Sequence, residues 1–165
     1  MHTVVAATFY EVVLAVHIMS VVVAFGVTFA YPLMLSVARR HGPRSLPLVH
    51  RIEYTVERVL VNPALALLVL AGIYLASKGH YWSDFFVQWG LGMAIVIGGL
   101  IGAVMIPTAK RAEVLAARDL AAVAEGPAEL SDEYRMLARR LSSVGGLLSA
   151  LVLLTILFMA LRLGA

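Results

Sequence analysis

From Val4 to about Val37 the chain is apolar or small, and only Glu11 and His17 break the run with an ionisable group. Three more apolar stretches follow. The pattern predicts four membrane-crossing helices over about 10–36, 59–76, 86–107 and 144–163, each near the ~20 residues needed to cross a bilayer core. The first run is too long for a signal-peptide core and no basic segment precedes it, so it reads as a retained span. The second span is entered through a polar helix, Val49–Arg58. After the third, Ala109–Ala124 is alanine-rich and helical in propensity, and Gly126-Pro127 breaks it. Ser131, followed by Asp132 and Glu133, is a helix N-cap with acids in the first turn. A helix from Asp132 to Leu163 is ~48 Å long and projects beyond the bilayer. The expected fold is all-α: a polytopic, four-transmembrane-helix bundle with cytoplasmic helix extensions, residues 1–165 forming one membrane domain.

Helical periodicity assigns faces. In the first helix Tyr10, His17, Ser20, Ala24, Thr28 and Tyr31 keep to one side on a 3.6-residue period, so His17 is expected to point into the bundle. Val22, Phe25 and Phe29 form the opposite, lipid-facing side. Pro32 weakens the inner end of this helix. In the second helix Pro63 frees a carbonyl that Asn62 is placed to satisfy. Gly98 and Gly102 form a GxxxG pair that admits a close helix crossing. In the fourth helix Ser142, Gly145, Ser149, Val152, Ile156 and Met159 share a face expected to look inward.

Composition agrees with this pattern. The 165 residues are 61% hydrophobic and 14% charged, against ~25% charged in soluble domains. The mean hydropathy of +0.91 excludes a soluble enzyme and a disordered chain. With no cysteine, disulfides and thiolate chemistry are excluded. Of the 13 basic residues, 11 lie in two connections: Arg39, Arg40, Arg44, Arg51 and Arg58 in one, Lys110, Arg111, Arg118, Arg135, Arg139 and Arg140 in the other. The net charge of +3 therefore reports topology, not a nucleic-acid partner. Positive-inside bias puts both termini outside a cytoplasmic (inner) membrane. Tyr74, Tyr81, Trp82, Phe85, Phe86 and Trp89 then form an outer interfacial belt.

An ionisable side chain within a span is a functional-site hypothesis. His17 is the one histidine within a span; it reads as an imidazole hydrogen-bonded to a facing Ser, Tyr or carbonyl, as a ligand to haem iron or a metal, or as a proton relay. His41 and His50, at the inner boundary, are expected to be solvated, and His2 belongs to the N-terminal tail. Depth places Met159 level with His17 in the outer third, and a His/Met pair is an axial arrangement for haem. Met93 has similar depth but projects away from the Gly98 face. His80, on the outside, is a third candidate ligand folding over the outer mouth. Arg162 is placed to hold a haem propionate, or else to reach the headgroups or Glu11. The chain carries no phosphate-binding glycine loop, no HExxH and no GxSxG.

The string HIMSVVVAFGVTFAYPLM resembles the first helix of the HemJ-type protoporphyrinogen oxidases, with that family's His, mid-helix Gly, Tyr and Pro at His17, Gly26, Tyr31 and Pro32. ERVLVNPALALLVLAGIYLA resembles their second helix, through Glu57, Arg58, Pro63, Ala64 and Gly72. The likeness extends to CopD-like copper-resistance proteins and to an uncharacterised branch of predicted integral membrane proteins, the nearest in pattern. The third-helix segment WGLGMAIVIGGLIGAVMIPTAKR lacks the oxidases' Lys near its start and their Tyr-His pair near its end. The resemblance thus implies a four-helix protein holding b-type haem through His17, without implying the oxidase reaction. Three readings stay open: a haem-binding or redox-linked protein within a larger complex or a homo-oligomer; a cofactor-free accessory subunit; and a copper-handling protein using His17, Met159 and His80.

Overall fold

The structure, a computed structural model, describes residues 8–122 and 129–164. His2 and the Gly126-Pro127 break lie outside the described residues. Four long helices follow one another: α1, Phe9–His41; α2, Pro43–Gly79; α3, Phe85–Ala121; and α4, Asp132–Ala160. Each is long and apolar enough to cross a membrane. Helix makes up 92% of the structure, and no strand occurs among the described residues. The expected all-α, four-span architecture is present, and among the described residues the polar stretches 38–58 and 109–121 are largely helical extensions of the spans.

Successive helices pack antiparallel, α1 on α2, α2 on α3 and α3 on α4. The start of α1 meets the end of α2 through Phe9 and Tyr74, edge to face with centroids 5.4 Å apart. The Phe85 N–H donates to the Gly164 carbonyl (3.4 Å). The start of α1, the residues just after α4 and the α2–α3 connection therefore share one end, the aromatic end. The opposite, basic end carries the other two connections. One buried core draws on all four helices, from Ala24 and Phe25 through Leu65 and Ile97 to Leu148 and Val152.

Local chemistry fixes the helix ends. Thr8 and Glu11 form a capping box: Thr8 Oγ1 accepts from the Glu11 N–H, and Glu11 Oε2 accepts from the Thr8 N–H at 2.7 Å. Glu11 thus serves its own helix start and not Arg162. The α1–α2 corner turns at Gly42, φ 114°, a conformation that suits glycine alone. Ser131 caps α4 as expected, its Oγ accepting from the Tyr134 N–H at 3.3 Å. Asp119 Oδ2 accepts from the Ser131 N–H at 2.8 Å and clasps the end of α3 to the start of α4.

Three helices change winding just before a proline. α1 tightens into a 3₁₀ turn at Val27–Ala30 ahead of Pro32. α2 and α3 widen into π turns, Glu57–Val61 ahead of Pro63 and Ile101–Met105 ahead of Pro107. Proline offers no N–H to the carbonyl one turn back and its ring crowds that carbonyl, so the preceding turn re-pairs. In α2 the Asn62 N–H reaches the Glu57 carbonyl, and in α3 the Ile106 N–H reaches that of Ile101.

Several face assignments are corrected. Phe25 is buried in the core and does not face lipid, while Val22 and Phe29 do lie outward. Asn62 is exposed and its side chain makes no hydrogen bond. A Cβ on Gly98 would stand 3.0 Å from Leu65 Cδ2, whereas one on Gly102 would meet nothing within 4 Å. Half of the GxxxG pair is therefore a crossing. On α4, Ser142 and Ile156 are exposed; Tyr134, Ala138, Leu141, Leu148 and Val152 are buried. Steps of three and four select that stripe, and Leu141 displaces Ser142 because burying it removes more apolar surface.

Candidate functional site

The inward face of α2 is a single series of buried residues: Leu46, His50, Glu53, Glu57, Val61, Ala64, Leu68. Spacings of three and four keep them on one side. At the aromatic end this face is wholly apolar. At the basic end the same register delivers three ionisable side chains into the bundle.

His50 is 0% exposed, although sequence pattern places it in solvent. The antiparallel α2–α3 packing, with α4 behind, covers it. Its Nδ1 lies 2.9 Å from Glu53 Oε2 and its Nε2 2.8 Å from the Tyr134 hydroxyl of α4. A carboxylate only accepts, so Nδ1–H donates to Glu53, and in the tautomer with its proton on Nδ1 alone the Nε2 accepts from the tyrosine O–H. The Tyr134 ring stands edge-on to the imidazole, centroids 5.7 Å apart.

Glu57 sits one turn along α2 from Glu53, in the π turn, and is 2% exposed. Its Oε2 is buried without a hydrogen-bond partner. Tyr31 of α1 is also buried, its hydroxyl likewise without a partner among the described residues. Among the described residues no Lys or Arg lies within 4.0 Å of either glutamate. Buried polar groups are normally satisfied, and unpaired carboxylates in an apolar bundle are costly. The basic end thus gathers five polar groups from three helices: Tyr134, His50 and Glu53 are joined by hydrogen bonds, and Glu57 and Tyr31 are buried without such a link.

The residues singled out by sequence lie elsewhere. His17 is half-buried on the inward stripe of α1, with Ser20, Ala24 and Tyr31 buried along the same face. It faces α2: its Nδ1 donates to the Leu68 carbonyl at 3.0 Å, and its Cε1 is 3.2 Å from the place of a Cβ on Gly72. Met159 packs instead into the notch at Gly90 of α3. The two occupy different helix interfaces, and no hydrogen bond joins them. Met93 packs against the core. His80 is exposed and caps α2 in the left-handed conformation, φ 58°. Arg162 is also exposed and lies over the Tyr81 ring, 5.5 Å from its centroid. Among the described residues no three His, Asp or Glu side chains gather closely enough to hold a metal ion. At this aromatic end Trp89 stacks on Phe158 with centroids 4.7 Å apart, and its Nε1 is buried without a partner.

No match is found among curated proteins or among solved structures. A family model described as "Predicted integral membrane protein (DUF2269)" matches residues 11–163, nearly the whole chain and all four helices. This multi-pass integral membrane protein, built to sit in a lipid bilayer, belongs to that family.

Proposed function

We propose that the chain is a proton-handling membrane subunit whose working centre is the Tyr134–His50–Glu53 triad with Glu57 and Tyr31. The observation that carries this reading is Glu57: a carboxyl buried in the π turn, without a cation or hydrogen-bond partner, one turn from a second buried carboxyl. Such a group exchanges a proton more readily than it keeps a fixed charge. The triad supplies the path. Tyrosine, imidazole and carboxylate each pass a proton along an existing hydrogen bond, from Tyr134 near the basic end to Glu53. Glu57, one turn further along α2, and Tyr31 of α1 lie beyond the end of this hydrogen-bonded path, and a proton reaching Glu57 needs a rearrangement or a water to bridge the gap. With the basic end in the cytoplasm, as the arginine distribution favours, the path opens inward. Infrared difference spectra of the purified protein across a pH change test this. A carboxyl band that titrates in the native protein and vanishes in Glu57→Gln is expected; no titrating carboxyl band, or one unchanged by the substitution, overturns the reading.

A second reading rests on His17. Its Nδ1–H is anchored on a backbone carbonyl, which fixes the tautomer and leaves Nε2 as the free donor atom, the arrangement of a metal-bound imidazole. His17 would then be the axial residue for b-type haem, which supplies one-electron transfer. Met159, seated at Gly90, does not fit as the opposite ligand. Copper held by His17, Met159 and His80 together draws less support, since these lie in different interfaces. A Soret band in the purified protein that disappears in His17→Ala is the expected result; a colourless protein that takes up no added haemin sinks it. If both readings fail, a cofactor-free accessory subunit, alone or within an oligomer, becomes the leading one.

A further inference from the structure

Between the basic ends of α1 and α4 opens a cleft of about 470 Å³. Arg39 of α1 lines one side, and Arg135 and Arg139, one turn apart on α4, line the other. Tyr134 also lines it, and Leu46 and Ala138 give the cleft an apolar wall. Arg135 has a partner in Asp132 at 3.1 Å. Among the described residues Arg39 and Arg139 have no carboxylate within 4.0 Å. Glu129 is the one acid on the lining.

Guanidinium groups do not shed their charge, and these three are exposed, so an anion seated between them gains attraction from both helices beyond what solvent screening already supplies. Their planar forks match phosphate oxygens two at a time. The apolar wall suits a phosphate that carries an organic substituent. We infer that this cleft is a phosphate-group site, in which Arg39 and Arg139 grip one anionic head from opposite sides and so tie α1 to α4. The head belongs to an anionic phospholipid of the surrounding leaflet or to a free phosphate. The site shares Tyr134 with the buried triad but does not depend on proton handling there.

Thermal unfolding in a neutral detergent tests the site. Phosphate is compared with chloride at equal ionic strength, and phosphatidylglycerol with phosphatidylcholine. Saturating ligand should raise the melting temperature by roughly 5 °C or more. The rise should be lost in the Arg39→Gln/Arg139→Gln protein and kept in Arg162→Gln, whose guanidinium lies at the far end. A rise with both phosphate and phosphatidylglycerol assigns recognition to the phosphate group itself. A rise with phosphatidylglycerol alone assigns it to the lipid head. No rise with either overturns the site, as does an equal rise in the double variant. If the double variant does not fold, the native protein still decides: equal stabilisation by phosphatidylcholine and phosphatidylglycerol overturns the site. The Glu57 carboxyl band, measured on the same variants, separates failure here from failure of the proton reading.

Discussion

Tyr134 and His50 lie 84 residues apart in the chain and meet at 2.8 Å inside the bundle. This bond joins the first turn of α4 to the polar entry of α2, and Ser131 sets its geometry by fixing where α4 begins. Fold and candidate chemistry are therefore coupled at one place.

Removing the tyrosine hydroxyl leaves a buried imidazole nitrogen without its donor. Tyr134→Phe should cost about 1–3 kcal/mol of stability while keeping the ring packing. His50→Ala should cost more, since it adds a cavity and strands both Glu53 and Tyr134. Circular-dichroism melting in detergent measures the order. A Tyr134→Phe protein as stable as the native one would mean that water replaces the hydroxyl without loss.

The two glycines of the α3 pair should separate cleanly. Gly98→Leu drives a side chain into Leu65 of α2 and should destabilise by about 1–3 kcal/mol. Gly102→Leu points into open space and should be tolerated. Comparable melting temperatures for the two variants would show that α2 and α3 do not cross at Gly98.

At the aromatic end, Tyr81 folds back over Gly79 so closely that a methyl group has no room. Gly79→Ala should displace the Tyr81 ring and, with it, the Arg162 stacking and the nearby Phe86 contact. Altered tryptophan fluorescence from the adjoining Trp82 reports the change; an unaltered spectrum and melting temperature would contradict it.

Ser131→Ala removes the cap of α4 and should cost about 1 kcal/mol. The loss should appear in hydrogen exchange first at the Tyr134 amide, which donates to the serine oxygen. Uniform exchange changes along α4, with none concentrated there, would count against a local cap.

Topology can be read with tags. A tag at Gly126, within the basic α3–α4 connection, should be shielded in intact cells, and one after Ala165 should be accessible. The reverse labelling pattern would invert the bundle and turn the proton path outward.

The four spans were legible because an uninterrupted apolar run of bilayer length is stable in few settings besides a membrane. The inward stripe of α1 was legible too, since Ser20, Ala24 and Tyr31 are too small or too polar for lipid beside Val22 and Phe29. His50, Glu53 and Glu57 were hidden by their own polarity, which reads as a solvated connection. The signal that would have found them is register: they continue the spacing of Val61, Ala64 and Leu68 without a break. The bond to Tyr134 was beyond sequence, because it depends on how α2 and α4 are rotated in the bundle. Met159 was misplaced for the same reason; equal depth does not say which neighbour a side chain meets.

The three irregular turns lie at one level. His17 meets Gly72 and Gly98 meets Leu65, and these contacts set the offsets that bring Val27–Ala30, Glu57–Val61 and Ile101–Met105 side by side. On α4 the same level falls at Gly145, whose nearest outside neighbour is Met105. Reordered hydrogen bonds in three helices and two adjacent glycines in the fourth therefore fall in one layer, the kind of place where helices hinge. A tilt of one half against the other would be taken up at such a layer, and the buried carboxyl that would move with it is Glu57.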